Sequence, residues 1–266
     1  RGPTTGGSPG GSPVDAEMIC VLSPAKAMDE SGGPNFGVLS QPVLKDTSEL
    51  LPVCQKLTKA DLRKLSGTSD AIAQKDFQRY QGWKTAKCKA AALAMNGPAY
   101  LGFDAKSLSD AERKRAQSKV RILSGLYGVL RPFDAIKPYR LEMGSKLKTG
   151  RSSSLYEFWG DIITKQLDKD AKVIVNAASQ EYFKAVRPKA CKAPIVTVDF
   201  PGPSVYAKKA RGLICRFAVQ KDCKKPEDLK RFSGTAEDPY VFDAAKSTEA
   251  KYVFRRTAGK AAAAKA

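Results

Sequence analysis

Residues 120–144, VRILSGLYGVLRPFDAIKPYRLEMG, constrain the fold of this chain more than any other stretch. Gly125, Gly128, Pro132 and Pro138 fix the backbone at short intervals, so neither a helical nor a strand period runs through from end to end. Between these hinges, Arg131, Tyr139, Arg140 and Glu142 supply polar reach. A segment this apolar is a poor surface connection and is expected to lie against the body of the protein. Two readings remain open: a constrained loop shaped for a ligand, or a buried corner whose arginines are engaged in internal ion pairs.

Charge narrows the ligand classes. Across 266 residues there are 46 Lys and Arg against 27 Asp and Glu, a net charge of +19. Only Arg1, Asp15 and Glu17 are charged within residues 1–17, and only Lys260 and Lys265 follow Arg256. Nearly all of the excess therefore belongs to the body. Such a body favours polyanions (nucleic acid, an anionic surface or phosphorylated small molecules), the alternative being charge spread evenly for solubility. No apolar run is long enough to span a membrane, and no membrane partner is expected.

The chain contains no histidine, which removes Ser-His-Asp and Cys-His catalysis, His-ligated zinc and imidazole acid–base chemistry. Its six cysteines show no C-x-x-C spacing, so neither a zinc ribbon nor a thioredoxin-like motif is present. A carboxylate metal site would need residues such as Glu142, Asp161 and Glu181, which nothing in the spacing brings together. Neither a metal nor a cofactor is expected. Phosphate-loop signatures of the G-x-x-x-x-G-K-[ST] and G-x-G-x-x-G types are absent.

Residues 1–17 are rich in Gly, Ser and Pro and are expected to be disordered, as is the Ala/Lys tail at 257–266. Between them, residues 18–256 read as a single α/β (α+β) domain with a mixed sheet. Strands are expected at Met18–Leu22, Val173–Val175 and Ile195–Val198, and a terminal hairpin from Tyr240–Phe242 with Tyr252–Phe254. Helices are expected near 46–65, 68–81, 84–94 and 155–167, and from Ser109, where Glu112 completes a capping box. Ser179 is placed to cap a short helix carrying Glu181, Tyr182 and Lys184.

A further helix runs through YAKKARGLICRF, residues 206–217. At about 100° per residue, Ala210, Leu213, Ile214 and Phe217 share one face, and Lys208, Lys209, Arg211 and Arg216 the other. Thirteen Lys and Arg stand against five Asp and Glu between Glu181 and Arg231. Two lysines and an arginine beside Gly212, which permits close backbone approach, suggest phosphate binding; a solvated basic face is the alternative. Cys215 lies near the basic side, as a cation-activated thiolate or as an ordinary packed cysteine.

Taken together, these segments resemble the YaaA family of peroxide-stress proteins. The matching pieces, in the family's order, are LSPAK (22–26), KLT (56–58), LSGLYGVLRPFDAIKPYRLEMG (123–144), LYEFWGDIIT (155–164), NAASQEYFKAV (176–186) and YAKKARGL (206–213). The resemblance implies an intracellular protein that protects against hydrogen peroxide and is linked to limiting free iron. It further implies one α/β domain with a positively charged cleft and a helix-hairpin-helix-like element. The implied partner is double-stranded DNA, bound without sequence preference by a monomer. No reaction is established for the family. By position, Lys26, Arg131, Arg140, Lys184, Lys208, Lys209 and Arg211 match its basic motif residues, and Glu142, Asp161 and Glu181 its acidic ones. Cytoplasmic location is implied, or a plastid or mitochondrion if the N-terminal segment is a transit remnant.

Two departures stand out. Gly97-Pro98 replaces the family's Gly-Asp, and only PGPSV separates Phe200 from Tyr206, where relatives have a longer hairpin. Two mechanisms are carried forward. In the first, Lys26, Arg131, Arg140, Lys184, Lys208, Lys209, Arg211 and Arg216 contact DNA phosphates, helped by amides of the Gly125–Gly128 turn. In the second, a cleft lined by Lys26, Arg140, Glu142, Asn176, Glu181, Tyr182 and Lys208 takes a phosphorylated small molecule. Glu142, Glu181 or Asp161 would then serve as acid or base.

Overall fold

The structure is a computed structural model that describes residues 16–33 and 35–257. Expectations for residues 1–15 and 258–266 lie outside the described residues, while Ala16 and Glu17 begin the first strand. The strands are β1 (Ala16–Leu22), β2 (Ala27–Met28), β3 (Lys89–Ala90), β4 (Met95–Asn96), β5 (Val120–Ser124), β6 (Gly128–Leu130), β7 (Ala135–Ile136), β8 (Ala171–Asn176), β9 (Ile195–Asp199), β10 (Tyr240–Phe242) and β11 (Lys251–Arg256). The helices are α1 (Thr47–Lys56), α2 (Lys59–Ser66), α3 (Asp70–Gln81), α4 (Ala91–Ala94), α5 (Pro98–Phe103), α6 (Asp110–Lys119), α7 (Leu155–Trp159), α8 (Ile162–Asp170), α9 (Gln180–Phe183) and α10 (Ser204–Gln220).

Seven strands form one sheet in the order β10-β11-β9-β8-β1-β5-β6. β5, β1, β8, β9 and β11 run parallel, and the edge strands β6 and β10 are antiparallel to their neighbours. The architecture is mixed α/β, as the sequence predicts. The run MICVL in β1 has no polar alternation because helices cover both faces of a central parallel strand. Met18, Ile19, Cys20, Val21 and Leu22 are all buried. The terminal hairpin pairs Tyr240 with Arg256 and Phe242 with Phe254.

Three predicted helices are revised. The 46–65 segment is two helices, because Thr58 and Asp61 form a reciprocal capping box that starts α2 afresh. The 155–167 segment breaks at Gly160, whose φ of +44° ends α7 before α8 begins. Residues 84–94 are helical only in α4, since Lys89–Ala90 instead pair with Ala135–Ile136. There, tertiary pairing overrides the helix preference of an alanine-rich run. The capping box of Ser109 and Glu112 is present at the start of α6.

The 120–144 segment is largely a buried corner. β5 turns at Gly125 into β6, so the turn joins two strands and is not the hairpin of a helix-hairpin-helix. Trp159 Nε1 donates to the Gly125 carbonyl at 3.0 Å, and its ring packs on Gly128. The amides of Leu126 and Tyr127 both donate to Ser124 Oγ. A Cβ at Gly125 would lie 2.2 Å from the Leu141 carbonyl oxygen, which is how the RLEMG strip crosses the turn. Gly125 and Gly128 therefore serve packing; they offer no exposed phosphate cradle. Arg121 and Arg140 make internal ion pairs, with Asp170 and Glu142 respectively.

Candidate functional site

The chain leaves β1 toward β5 on one side and later returns to β8 on the other, so connections diverge above the carboxyl ends of β1 and β8. In open α/β sheets this is where ligands bind. A cleft of about 500 Å³ lies there, within the range of small-molecule pockets. Ser23 and Lys26 reach it from the end of β1, Ser179, Glu181 and Tyr182 from the end of β8, and Lys208 and Arg211 from α10. The lip opposite is Asn96-Gly97-Pro98, with Pro98 at the first turn of α5, a position that suits proline.

Ser179 occupies the N-cap position of α9, but its hydroxyl makes no cap bond. Ser23 Oγ instead donates to Ser179 Oγ at 3.2 Å and accepts from the Ser179 amide at 2.8 Å. This pair ties the two strand ends together at the cleft floor. Asn176 acts in the same way, accepting from the Ala178 amide and donating to Thr197 Oγ1.

Behind Lys26 sits a charge triad. Glu142 Oε2 lies 2.7 Å from Lys26 Nζ, and Glu142 Oε1 lies 2.7 Å from Arg140 Nη2. Burial opposes ionisation of Glu142, but the two cations outweigh it and hold the carboxyl below its ordinary value. Glu142 is thus a fixed anion that orients Lys26 toward the cleft, which makes it a poor general base. Because the folded-state value is depressed, its stabilising contribution is complete above the ordinary value of 4.5 and is lost as pH falls toward the folded value. Urea unfolding of Glu142→Gln should therefore show a deficit against the parent at pH 7 that shrinks below about pH 4.5. A deficit independent of pH would contradict this role for the triad.

The remaining predicted residues divide. Glu181 is exposed, and its Oε1 accepts from the Gly144 amide at 3.1 Å. Arg211 is half-buried, with burial pushing its guanidinium below the ordinary value and Asp199 opposing that shift. Its Nε is buried with no hydrogen-bond partner among the described residues. Tyr182 is buried at the cleft wall, and burial raises its hydroxyl well above the ordinary value.

Five residues lie elsewhere. Asp161 pairs with Arg187 at 2.6 Å, Lys184 sits over the Tyr156 ring, and Arg131 lines a different pocket. Lys209 is held by Asp238 at 2.6 Å, and Arg216 by the carbonyls of Phe103 and Asp104 with Ser107 Oγ. The outer face of α10 is therefore not a row of four free charges; of the four, only Lys208 is exposed, the others being half-buried. Gly212 does permit close approach, but to helix α5 rather than to a phosphate. Cys215 is fully buried beside Cys20, and burial raises its thiol well above the ordinary value, so it is a packed cysteine.

The sequence names Ser179 as a helix cap and Gly97-Pro98 as a departure from the family pattern, but it places neither these nor Ser23 at the site. Ser23 carries a usable signal, since it directly follows a buried parallel strand, whereas Ser179 comes three residues after β8, beyond the buried Ala177 and Ala178. Among the described residues, no three Cys, Asp or Glu side chains gather as a metal site requires.

The chain is 46% identical over 263 residues to a UPF0246 protein of Burkholderia lata, covering 91% of this chain and all of that protein. UPF0246 proteins of Burkholderia orbicola and Burkholderia ambifaria are each 45% identical over the same extent. The family model described as peroxide stress protein YaaA matches residues 18–246, and the chain belongs to that family.

Proposed function

We infer that this protein acts in peroxide stress by binding a phosphorylated small molecule in the cleft above β1 and β8. The observation that carries this reading is the convergence of Lys26, Lys208 and Arg211 on one cavity at the strand ends, with Arg211 half-buried. Cations placed in this way suit a phosphate group, which accepts several charge-assisted hydrogen bonds at once. Any reaction would use Lys26, held in place by Glu142, or Glu181 at the rim. A link to free iron would then run through the bound metabolite.

The second reading is binding to double-stranded DNA without sequence preference, favoured by the net charge of +19. The helix-hairpin-helix-like element that it calls for is better sought at α2 and α3. These helices are joined through Gly67 in the left-handed region and carry Lys59, Arg63 and Lys64. Lys59 and Arg63 both face Asp70, which tempers the charge that this hairpin offers to DNA.

One pair of titrations separates the readings. The double variant Lys208→Ala/Arg211→Ala should weaken a nucleoside monophosphate by about tenfold or more while changing duplex affinity little. If duplex binding instead falls steeply with salt, with a log–log slope that flattens by about two in the variant, the cleft is a DNA contact. A steep slope that is untouched by the variant would move DNA to another surface. No binding of either probe would remove both readings.

A further inference from the structure

We propose a second ligand site, for a small monocarboxylate, in the pocket between edge strand β6 and helix α8. This pocket is lined by Arg121, Arg131, Val43, Trp159, Ile162 and Gln166, among others, and measures about 190 Å³. It shares no lining residue with the cleft above β1 and β8. Nothing in the phosphate reading uses it.

The site rests on hydrogen-bond donors that the fold leaves open. Arg121 is 2% exposed; its Nε donates to Asp170 Oδ2 at 2.5 Å, and its Nη1 donates to the carbonyls of Gln117, Ser118 and Val120. Among the described residues, Arg121 Nη2 makes no hydrogen bond and the Arg131 guanidinium makes neither hydrogen bond nor ion pair. Each carboxylate oxygen of Asp134 and Asp170 nearby already accepts one hydrogen bond. Asp170 also accepts from Gln166 Nε2, and Asp134 accepts from Ser40 Oγ and from the Arg131 amide at 2.7 Å. The open donor capacity of the pocket is guanidinium N–H, the pattern that a carboxylate meets with two oxygens.

Charge and size then select the ligand. Arg121 and Arg131 stand beside Asp134 and Asp170, and the third carboxylate of the lining, Asp46, is paired with Arg151, so the charges balance and the pocket accepts one added negative charge more readily than two, which disfavours phosphate dianions. Trp159, Val43 and Ile162 supply an apolar wall for a short carbon chain. The volume falls below the ~300 Å³ at which pockets begin to hold drug-sized ligands, and this excludes a nucleotide.

Trp159 reports on the site directly, because Trp83 is the only other tryptophan. In a Trp83→Phe background, propionate should change the fluorescence saturably at millimolar concentration. Chloride and inorganic phosphate at matched ionic strength should not. Arg131→Gln should weaken the response at least about tenfold and Arg131→Lys by less, whereas Lys208→Ala should leave it unchanged. If Trp83→Phe fails to fold, saturation transfer from the unsubstituted protein to propionate reads the same binding. An equal response to chloride, no saturation, or a response undiminished by Arg131→Gln overturns the site.

Discussion

Gly212→Ala is expected to destabilise the protein by about 3 kcal/mol or more, although the same change in an ordinary helix interior stabilises by about 0.5–1 kcal/mol. The two effects have opposite signs, so the measurement decides between them. Gly212 lies in α10 where it crosses α5, and an added Cβ would sit 1.7 Å from the Ala99 carbonyl oxygen and 2.7 Å from the Phe103 nitrogen. Both contacts are to backbone, so no side chain can swing away. Gly102 on the facing helix is equally tight, with its Cβ position 2.2 Å from the Lys209 carbonyl oxygen. Relief requires α10 to move off α5. That movement separates Ile214, Cys215 and Ala218, all fully buried, from the core, which is where the cost arises. A fall in Tm of roughly 6–12 °C is expected for a domain of this size. Because Lys208 and Arg211 travel with α10 while Pro98 and Ala99 travel with α5, the cleft should lose affinity for its phosphate probe as well. Gly150→Ala, where a Cβ meets nothing within 4 Å, is the control and should be close to neutral. A stable Gly212→Ala protein would mean that the two helices are not locked at this crossing.

The sequence carried the sheet better than the helices, and the reason is physical. Strands such as Met18–Leu22 are apolar on both faces, a pattern that few surface elements imitate. The breaks at Thr58 and Gly160 were legible too, one as a Thr-x-x-Asp capping box and the other as a glycine between two helical turns. Both were outweighed by periodicity that continues across the break. The 84–94 stretch could not be read locally, because its pairing partner, Ala135–Ile136, is more than forty residues away.

The candidate site was legible in residue type and illegible in partnership. Lys26, Arg140, Glu142, Glu181, Lys208 and Arg211 do gather at or behind one cleft. A helical wheel, however, cannot show that Asp238 holds Lys209, or that Arg216 caps the loop after α5. Those neighbours arrive from distant sequence, so a count of basic residues overstates the charge left for a ligand. Arg131 shows the converse: grouped by motif with the basic residues of α10 as a phosphate contact, it is carried by β6 to the edge of the sheet.

Asp170→Ala should cost roughly 3–5 kcal/mol, on the order of 10 °C in Tm, because it strands the Arg121 guanidinium. Arg121 and Asp170 have side chains 2% and 5% exposed and lie 2.5 Å apart. Burial pushes the Arg121 guanidinium below its ordinary value, and the Asp170 carboxylate is the main group that opposes this. Arginine cannot shed its proton to escape the penalty, so removal of the carboxylate leaves a buried charge bonded to carbonyl oxygens, with Asp134 as a weaker, more distant counter-charge. The pair as a whole need not be stabilising, since desolvating two ions offsets most of their attraction. The double variant Arg121→Met/Asp170→Leu should therefore recover most of the lost stability, within about 1 kcal/mol of the parent. Equilibrium urea unfolding of the parent, Asp170→Ala and the double variant gives both numbers. If Asp170→Ala costs less than about 1 kcal/mol, water reaches Arg121 through the β6 pocket and the pair is not a closed one. If the double variant folds as expected, it also lacks the open Nη2 donor, and the response of Trp159 to propionate should weaken in a protein whose sheet is otherwise intact.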